Sequence, residues 1–238
     1  MKNRKMGRRE ALGALGVAGA ALAFGCGGDS PTGPSAGGST GGSSTGGTTT
    51  TGTNGACAVT PTETAGPFPS LADFFRSDIR EGKTGTRLTL TVKVVNVSSA
   101  CAPVAGANVE IWHVDAAGNY SQYGTQSAET FLRGIQTTNA NGEVVFTTIY
   151  PGWYQGRATH IHVEVTMGGR SLKVTQMAFP ESINGTVYTT GAYASRGANP
   201  MSNASDGIFA DSLSSELVTP TGDPAGGYAA AFQVAVAL

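Results

Sequence analysis

Leu88, Leu90, Val92 and Val94 alternate with Thr89, Thr91 and Lys93. A period of two turns one apolar face toward a core and the other toward water, which only a strand can use. The same alternation recurs at residues 108–113, with Val109 and Ile111 on one face, and further strands are predicted at 144–149, 158–167 and 171–179. Turn signals separate them, Asn139-Ala140-Asn141-Gly142 and Gly168-Gly169 among them. After residue 56 no amphipathic helix exceeds about two turns, apart from a turn at residues 71–76. The tail from Asp206 is low in charge and reads as loop. Short strands between Gly, Pro and Asn turns predict an all-β fold, a β-sandwich.

Residues 1–25 read as an export signal. Lys2, Arg4, Lys5, Arg8 and Arg9 precede a mildly apolar run at residues 11–24. Arg8-Arg9 followed by Glu10-Ala11-Leu12 is similar to a twin-arginine signal, an ordinary secretory signal being the other reading. Ala23-Phe24-Gly25-Cys26 resembles a degenerate lipobox, which would acylate Cys26 and tether the chain to a membrane; without acylation the product is a free periplasmic protein. Residues 26–55 are Gly, Ser, Thr and Pro with almost nothing to bury, so they are expected as a disordered linker. The folded domain is expected at residues 56–238. No apolar run reaches the roughly 18 residues of a membrane span.

The formal net charge of −1 hides an asymmetry, because the first ten residues hold five basic side chains and one acidic. The remainder has 10 basic against 15 acidic residues. A chain near −5 beyond its leader lacks the clustered cations that nucleic-acid binding needs. Cys57 and Cys101 both fall in the folded part, and an exported location is oxidising enough to pair them as a disulfide; two buried thiols are the alternative.

Only three His occur, and two of them are His160 and His162. At i and i+2 on a strand both imidazoles project from one face, as a metal site requires and as two polar residues on a solvated face would also do. Glu164 shares that face, which keeps open a zinc hydrolase built on His160, His162 and Glu164. A binding module without catalysis is a second alternative.

The neighbourhood of this pair is distinctive. Trp112-His113-Val114-Asp115-Ala116-Ala117-Gly118-Asn119-Tyr120-Ser121 is followed by Pro151-Gly152-Trp153-Tyr154-Gln155-Gly156-Arg157, which runs into His160-Ile161-His162. Thr60-Pro61-Thr62-Glu63-Thr64-Ala65-Gly66-Pro67-Phe68, Phe131-Leu132-Arg133-Gly134 and Thr175-Gln176-Met177 complete the set. From about Cys57 to Asp206 this pattern resembles the intradiol ring-cleavage dioxygenases, the protocatechuate and catechol dioxygenase family. Its exported members are the nearest in pattern.

The resemblance implies a non-haem Fe(III) held by Tyr120, Tyr154, His160 and His162. It implies an oxidoreductase that cleaves a catechol-type aromatic with O2, between the two hydroxyl-bearing carbons, to a muconate-type diacid. Tyr154 would also leave the metal and take up a substrate proton, Arg157 would stand beside the ring, and Gln176 would pack near Arg157 and the ligands. Two hard, anionic phenolates suit Fe(III) better than Fe(II). Phenols with an ordinary pKa near 10 need the metal's charge to ionise at neutral pH. His113 reads as a core or supporting residue, Tyr150 as packing and Tyr123 as pocket lining. Only Gln155 and Gly156 separate Tyr154 from Arg157, a shorter link than in better-known members, which predicts a more open cleft. The helical dimerisation segment of catechol-type members is replaced here by the linker, and a homodimer is left open.

Overall fold

The computed structural model describes residues 57–238. The expectations for the signal at 1–25, for Cys26 and for the linker at 26–55 lie outside the described residues.

The alternation at residues 88–94 becomes β1 (Arg87–Asn96), in which Leu88, Leu90, Val92 and Val94 are fully buried. The other strands are β2 (Ala102–Pro103), β3 (Asn108–Trp112), β4 (Arg133–Thr137), β5 (Glu143–Ile149), β6 (His160–Met167), β7 (Arg170–Ala178), β8 (Thr221–Asp223) and β9 (Gly227–Val236). Two short helices, α1 (Glu181–Val187) and α2 (Leu213–Glu216), follow β7. One sheet has the order β2-β1-β9-β8, with β5 also pairing to β1; the other has the order β4-β3-β6-β7. Their inner faces form one continuous core, in which Leu90, Phe146, Phe232 and Val234 share a cluster with Val109, Ile111, Ile161 and Val163. Burying each such large side chain contributes about 1.5–3 kcal/mol. The expected all-β sandwich is the observed one.

Three local expectations are corrected. The tail is not all loop: β9 lies inside its sheet, parallel to β1 over Leu88↔Tyr228 to Asn96↔Val236. Tyr228, Ala230, Phe232 and Val234 are buried there, while Ala229 and Ala231 face outward. Alanines on the solvent face erase the polarity contrast on which period-two detection depends. The strand β4 is a further addition: Arg133, Gly134 and Ile135 are buried in succession, so it carries no alternation for a period-two pattern to mark. Residues 71–76 form no helical turn; the chain bends at Leu71 and Ala72, and Phe75 then bridges to Ile135.

Cys57 and Cys101 are joined as a disulfide, with Cα atoms 5.6 Å apart. The bond ties the start of the domain to the residue just before β2, as expected.

Candidate active site

Residues directly opposite each other in antiparallel strands point to the same side of a sheet. One rung across β4, β3, β6 and β7 reads Arg133, Trp112, His162, Gln176. It lies on the face turned away from the core, because the alternate residues Ile111, Ile161 and Val163 are the ones buried between the sheets. His160 stands two residues along β6 on the same outer face. The apolar alternation of β6 therefore aims both imidazoles outward.

A strap without regular structure, residues 60–70, crosses this rung. Glu63 N–H donates to the Val174 carbonyl at 2.9 Å. Gln176 Nε2 donates to the Thr64 carbonyl at 2.8 Å, and Arg133 Nη1 donates to the Phe68 carbonyl at 3.0 Å. Between these anchors Gly66 has φ +67° and passes so close to His162 that a Cβ would stand 3.2 Å from its Cε1. Glycine is needed there for conformation and for clearance.

Tyr120 follows a turn organised by Asp115, whose Oδ1 accepts the backbone N–H of Ala117 at 3.0 Å and of Asn119 at 2.9 Å. Gly118, at φ +82°, faces the Trp153 carbonyl so closely that no side chain fits. The loop carrying Tyr120 can therefore close on the loop carrying Tyr154, and the two rings lie 5.6 Å apart.

The four expected ligands come together. Tyr120 Oη is 3.5 Å from His160 Nε2, His160 Nε2 is 3.2 Å from His162 Nε2, and the Tyr154 ring is 5.6 Å from that of His160. Adjacent ligands of a first-row ion with bonds of about 2 Å stand roughly 3 Å apart, so this spacing suits one. His160 Nδ1 donates to the Ala158 carbonyl at 2.6 Å, which leaves Nε2 as a free lone pair facing the site. Burial lowers the His160 pKa to about 3 and that of His162 well below its ordinary value, so both rings are neutral bases. His162 Nδ1 is buried without a protein partner. Burial is also the main reason the Tyr120 and Tyr154 phenols are raised above their ordinary pKa. A metal cation at the convergence point would reverse that preference. The donor set fits a ferric ion. Among the described residues no three His, Cys, Asp or Glu side chains gather as a metal site, so His160, His162 and Glu164 do not form the zinc-type trio.

A family model described as Dioxygenase matches residues 68–187, just over half the chain. The solved structure of an intradiol ring-cleavage dioxygenase from Tetranychus urticae is 30% identical, with a TM-score of 0.68, covering 76% of this chain and 95% of that one. The chain belongs to the intradiol ring-cleavage dioxygenase family. The dioxygenase domain of a dioxygenase carbohydrate-binding protein fusion from Streptomyces sp. SirexAA-E has a similar structure (27% identity, TM-score 0.58, 76% and 99% coverage). Chlorocatechol 1,2-dioxygenase from Rhodococcus opacus is 26% identical over 121 residues, 42% of this chain and 46% of that protein. The chain thus spans less than half the length of that curated relative. Intradiol dioxygenases are generally non-haem iron enzymes.

In this family member Arg157 is no surface residue. Its Nε donates to Asp206 Oδ2 at 2.8 Å, its Nη2 donates to Gln176 Oε1 at 2.6 Å, and Asp206 is itself buried. Gln176 sits where expected, between Arg157 and the strap. His113 is a core residue: Nδ1 donates to the Val114 carbonyl at 2.8 Å, and Thr148 Oγ1 donates to Nε2 at 2.7 Å. Tyr150 is buried packing, its hydroxyl donating to Asn184 Oδ1 at 2.7 Å. Tyr123 joins Phe68, Asn119, Tyr120, Gln126 and Tyr154 in lining an open cleft of about 230 Å³ above the site. None of that cleft's lining residues carries a charge.

Four participants escaped the sequence reading. Trp112, Phe68 and Arg133 stood inside the quoted motifs without a role. Trp112 stacks on His162, and Phe68 stacks on Tyr120 with centroids 4.8 Å apart. Asp206 lies 49 residues from Arg157 in a stretch read as loop, and no local pattern marks it.

Proposed function

We propose that this protein is a non-haem Fe(III) intradiol dioxygenase acting on an uncharged catechol, opening the ring between the two hydroxyl-bearing carbons with both atoms of O2 to yield a muconate-type diacid. The observation that carries this reading is the convergence of Tyr120, Tyr154, His160 and His162 at the base of an aromatic-walled cleft. Bound Fe(III) would supply a Lewis acid for the two substrate oxygens and a route for electron density out of the ring.

The protein's own groups do the rest. Tyr154 is less buried than Tyr120 and opens onto the cleft, so it is the phenol placed to receive a proton from an incoming catechol. Arg157, held by Asp206 and Gln176, keeps a fixed positive charge beside Tyr154 that favours anionic oxygen there. Phe68 and Tyr123 give the cleft aromatic walls that suit an aromatic substrate. The lining offers no cation to pair with a substrate carboxylate, and Arg157 is already paired with Asp206, which supports a substrate without a carboxylate. The Cys57–Cys101 disulfide supports an oxidising, extracytoplasmic location, in line with the export signal read in residues 1–25.

The test is the visible spectrum and iron content of the purified protein, before and after anaerobic catechol, followed by O2 uptake and product mass. A coloured ferric protein whose band shifts with catechol, and a product equal to substrate plus two oxygen atoms, is the expected result. A chain that stays colourless after ferric reconstitution overturns it.

A further inference from the structure

The Phe131-Leu132-Arg133-Gly134 motif has no assigned part in the chemistry, yet it delivers the most fully buried cation of the fold. Arg133 has no exposed surface, and among the described residues no carboxylate lies within ion-pair distance of it. Glu110 acts on it only at longer range, through the Ser70 that both contact. A buried guanidinium with no carboxylate in contact is costly to keep, and apolar residues would fill the same volume at less cost.

Its donors go to two segments at once. Nε donates to Ser121 Oγ at 2.9 Å and Nη2 donates to the Ser121 carbonyl at 2.8 Å, so both the side chain and the backbone of the residue after Tyr120 are gripped. Nη1 donates to the Phe68 carbonyl at 3.0 Å and to Ser70 Oγ at 3.3 Å, both on the strap. The guanidinium carbon is 5.7 Å from the centre of the Tyr120 ring and 5.5 Å from that of Tyr123. Phe68, held through its carbonyl, stacks on Tyr120 at 30° between planes. Arg133 also ends the rung that carries His162, while Gln176 grips the strap at the other end.

We propose that Arg133 is a positioning residue: its planar fork locks the Tyr120 loop and the strap to each other and to the β4–β7 rung, and so sets where the Tyr120 oxygen stands relative to the two imidazoles. The inference rests on the ligand set proposed above. A fork of fixed geometry is what the task requires, because a single ammonium cannot hold Ser121 and Phe68 in one plane. The cost of burying it is offset by these charge-assisted bonds.

The experiment titrates metal-free protein with ferric ion and records the visible band, for the parent, Arg133→Met, Arg133→Lys and Ser121→Ala. Positioning predicts that Arg133→Met binds ferric ion roughly 10–100-fold more weakly, as loss of an outer-shell partner does elsewhere. It also predicts a displaced band, and that Arg133→Lys restores neither. Ser121→Ala removes one of the two grips beside Tyr120 and should displace the band in the same direction, so it decides the matter if Arg133→Met does not fold. A folded Arg133→Met, or a Ser121→Ala protein, with parental affinity and band overturns the proposal. Full restoration by Arg133→Lys also overturns it, because charge without the fork would then suffice. A parent that takes up no ferric ion at all fails the ligand reading instead, and the two failures are therefore distinct.

Discussion

The indole of Trp112 lies flat against the imidazole of His162, ring centroids 4.8 Å apart and planes 3° from parallel. The pairing follows from their being directly opposite in β3 and β6, and it fixes the rotation of the His162 ring. With Gly66 closing over the ring's edge, Nε2 of His162 is left one direction in which to point.

Trp112→Ala removes a fully buried indole and should cost about 3–5 kcal/mol of stability. Trp112→Phe keeps an aromatic face against His162 and should lose less, while retaining more iron per chain than the alanine variant. Chemical denaturation with iron analysis of the folded protein checks both. Equal iron content in the two variants would argue against a role for the stack.

Tyr154→Phe removes one phenolate and the proton acceptor proposed for the substrate, while Tyr120, His160 and His162 stay in place. Iron should still bind, the visible band should weaken and move, and O2 uptake with catechol should fall by roughly 10²–10⁴-fold. Unchanged turnover in this variant would remove Tyr154 from the mechanism.

Glu216 is fully buried, accepts from Ser212 Oγ at 2.6 Å and from Thr175 Oγ1 at 3.0 Å, and burial pushes its carboxyl up to about 7. A carboxyl raised in the folded state binds its proton more tightly there than in the unfolded chain. Its contribution is therefore fully present below about 4.5 and is lost as pH rises through about 7. Measured against Glu216→Gln, which stays uncharged throughout, parental stability should fall by on the order of 3 kcal/mol between pH 5 and pH 8. A difference that does not vary with pH would contradict this.

The cleft lining has no charged side chain, and Gln126 lies at its wall. Catechol should exceed a carboxylate-bearing catechol in kcat/KM by roughly tenfold or more, and Gln126→Arg should narrow the gap by giving the carboxylate a partner. Steady-state O2 uptake with the two substrates reads this directly. A parent that prefers the carboxylated ring would refute the uncharged-substrate reading.

The strands with Leu, Val and Ile on one face and Thr, Lys and His on the other were legible because alternation is a property of neighbours in the chain. Tyr120, Tyr154, His160 and His162 were legible for a different reason: they stand in runs, residues 112–121 and 151–162, whose order resembles the intradiol dioxygenase pattern. β9 was illegible because Ala229 and Ala231 give its outer face no polarity, and Asp206 because its partner Arg157 is distant in sequence.

Sequence alone therefore determined which residues alternate, which turns are tight and that His160 and His162 share one strand face, since these depend on interactions within a few residues. Tertiary structure decided the rest. Strand pairing set Arg133, Trp112, His162 and Gln176 side by side, and the strap at Thr64, Gly66 and Phe68 folded back over them. Register between strands and the closure of a distant segment are set by packing of the whole sandwich, and no local pattern in the chain encodes them.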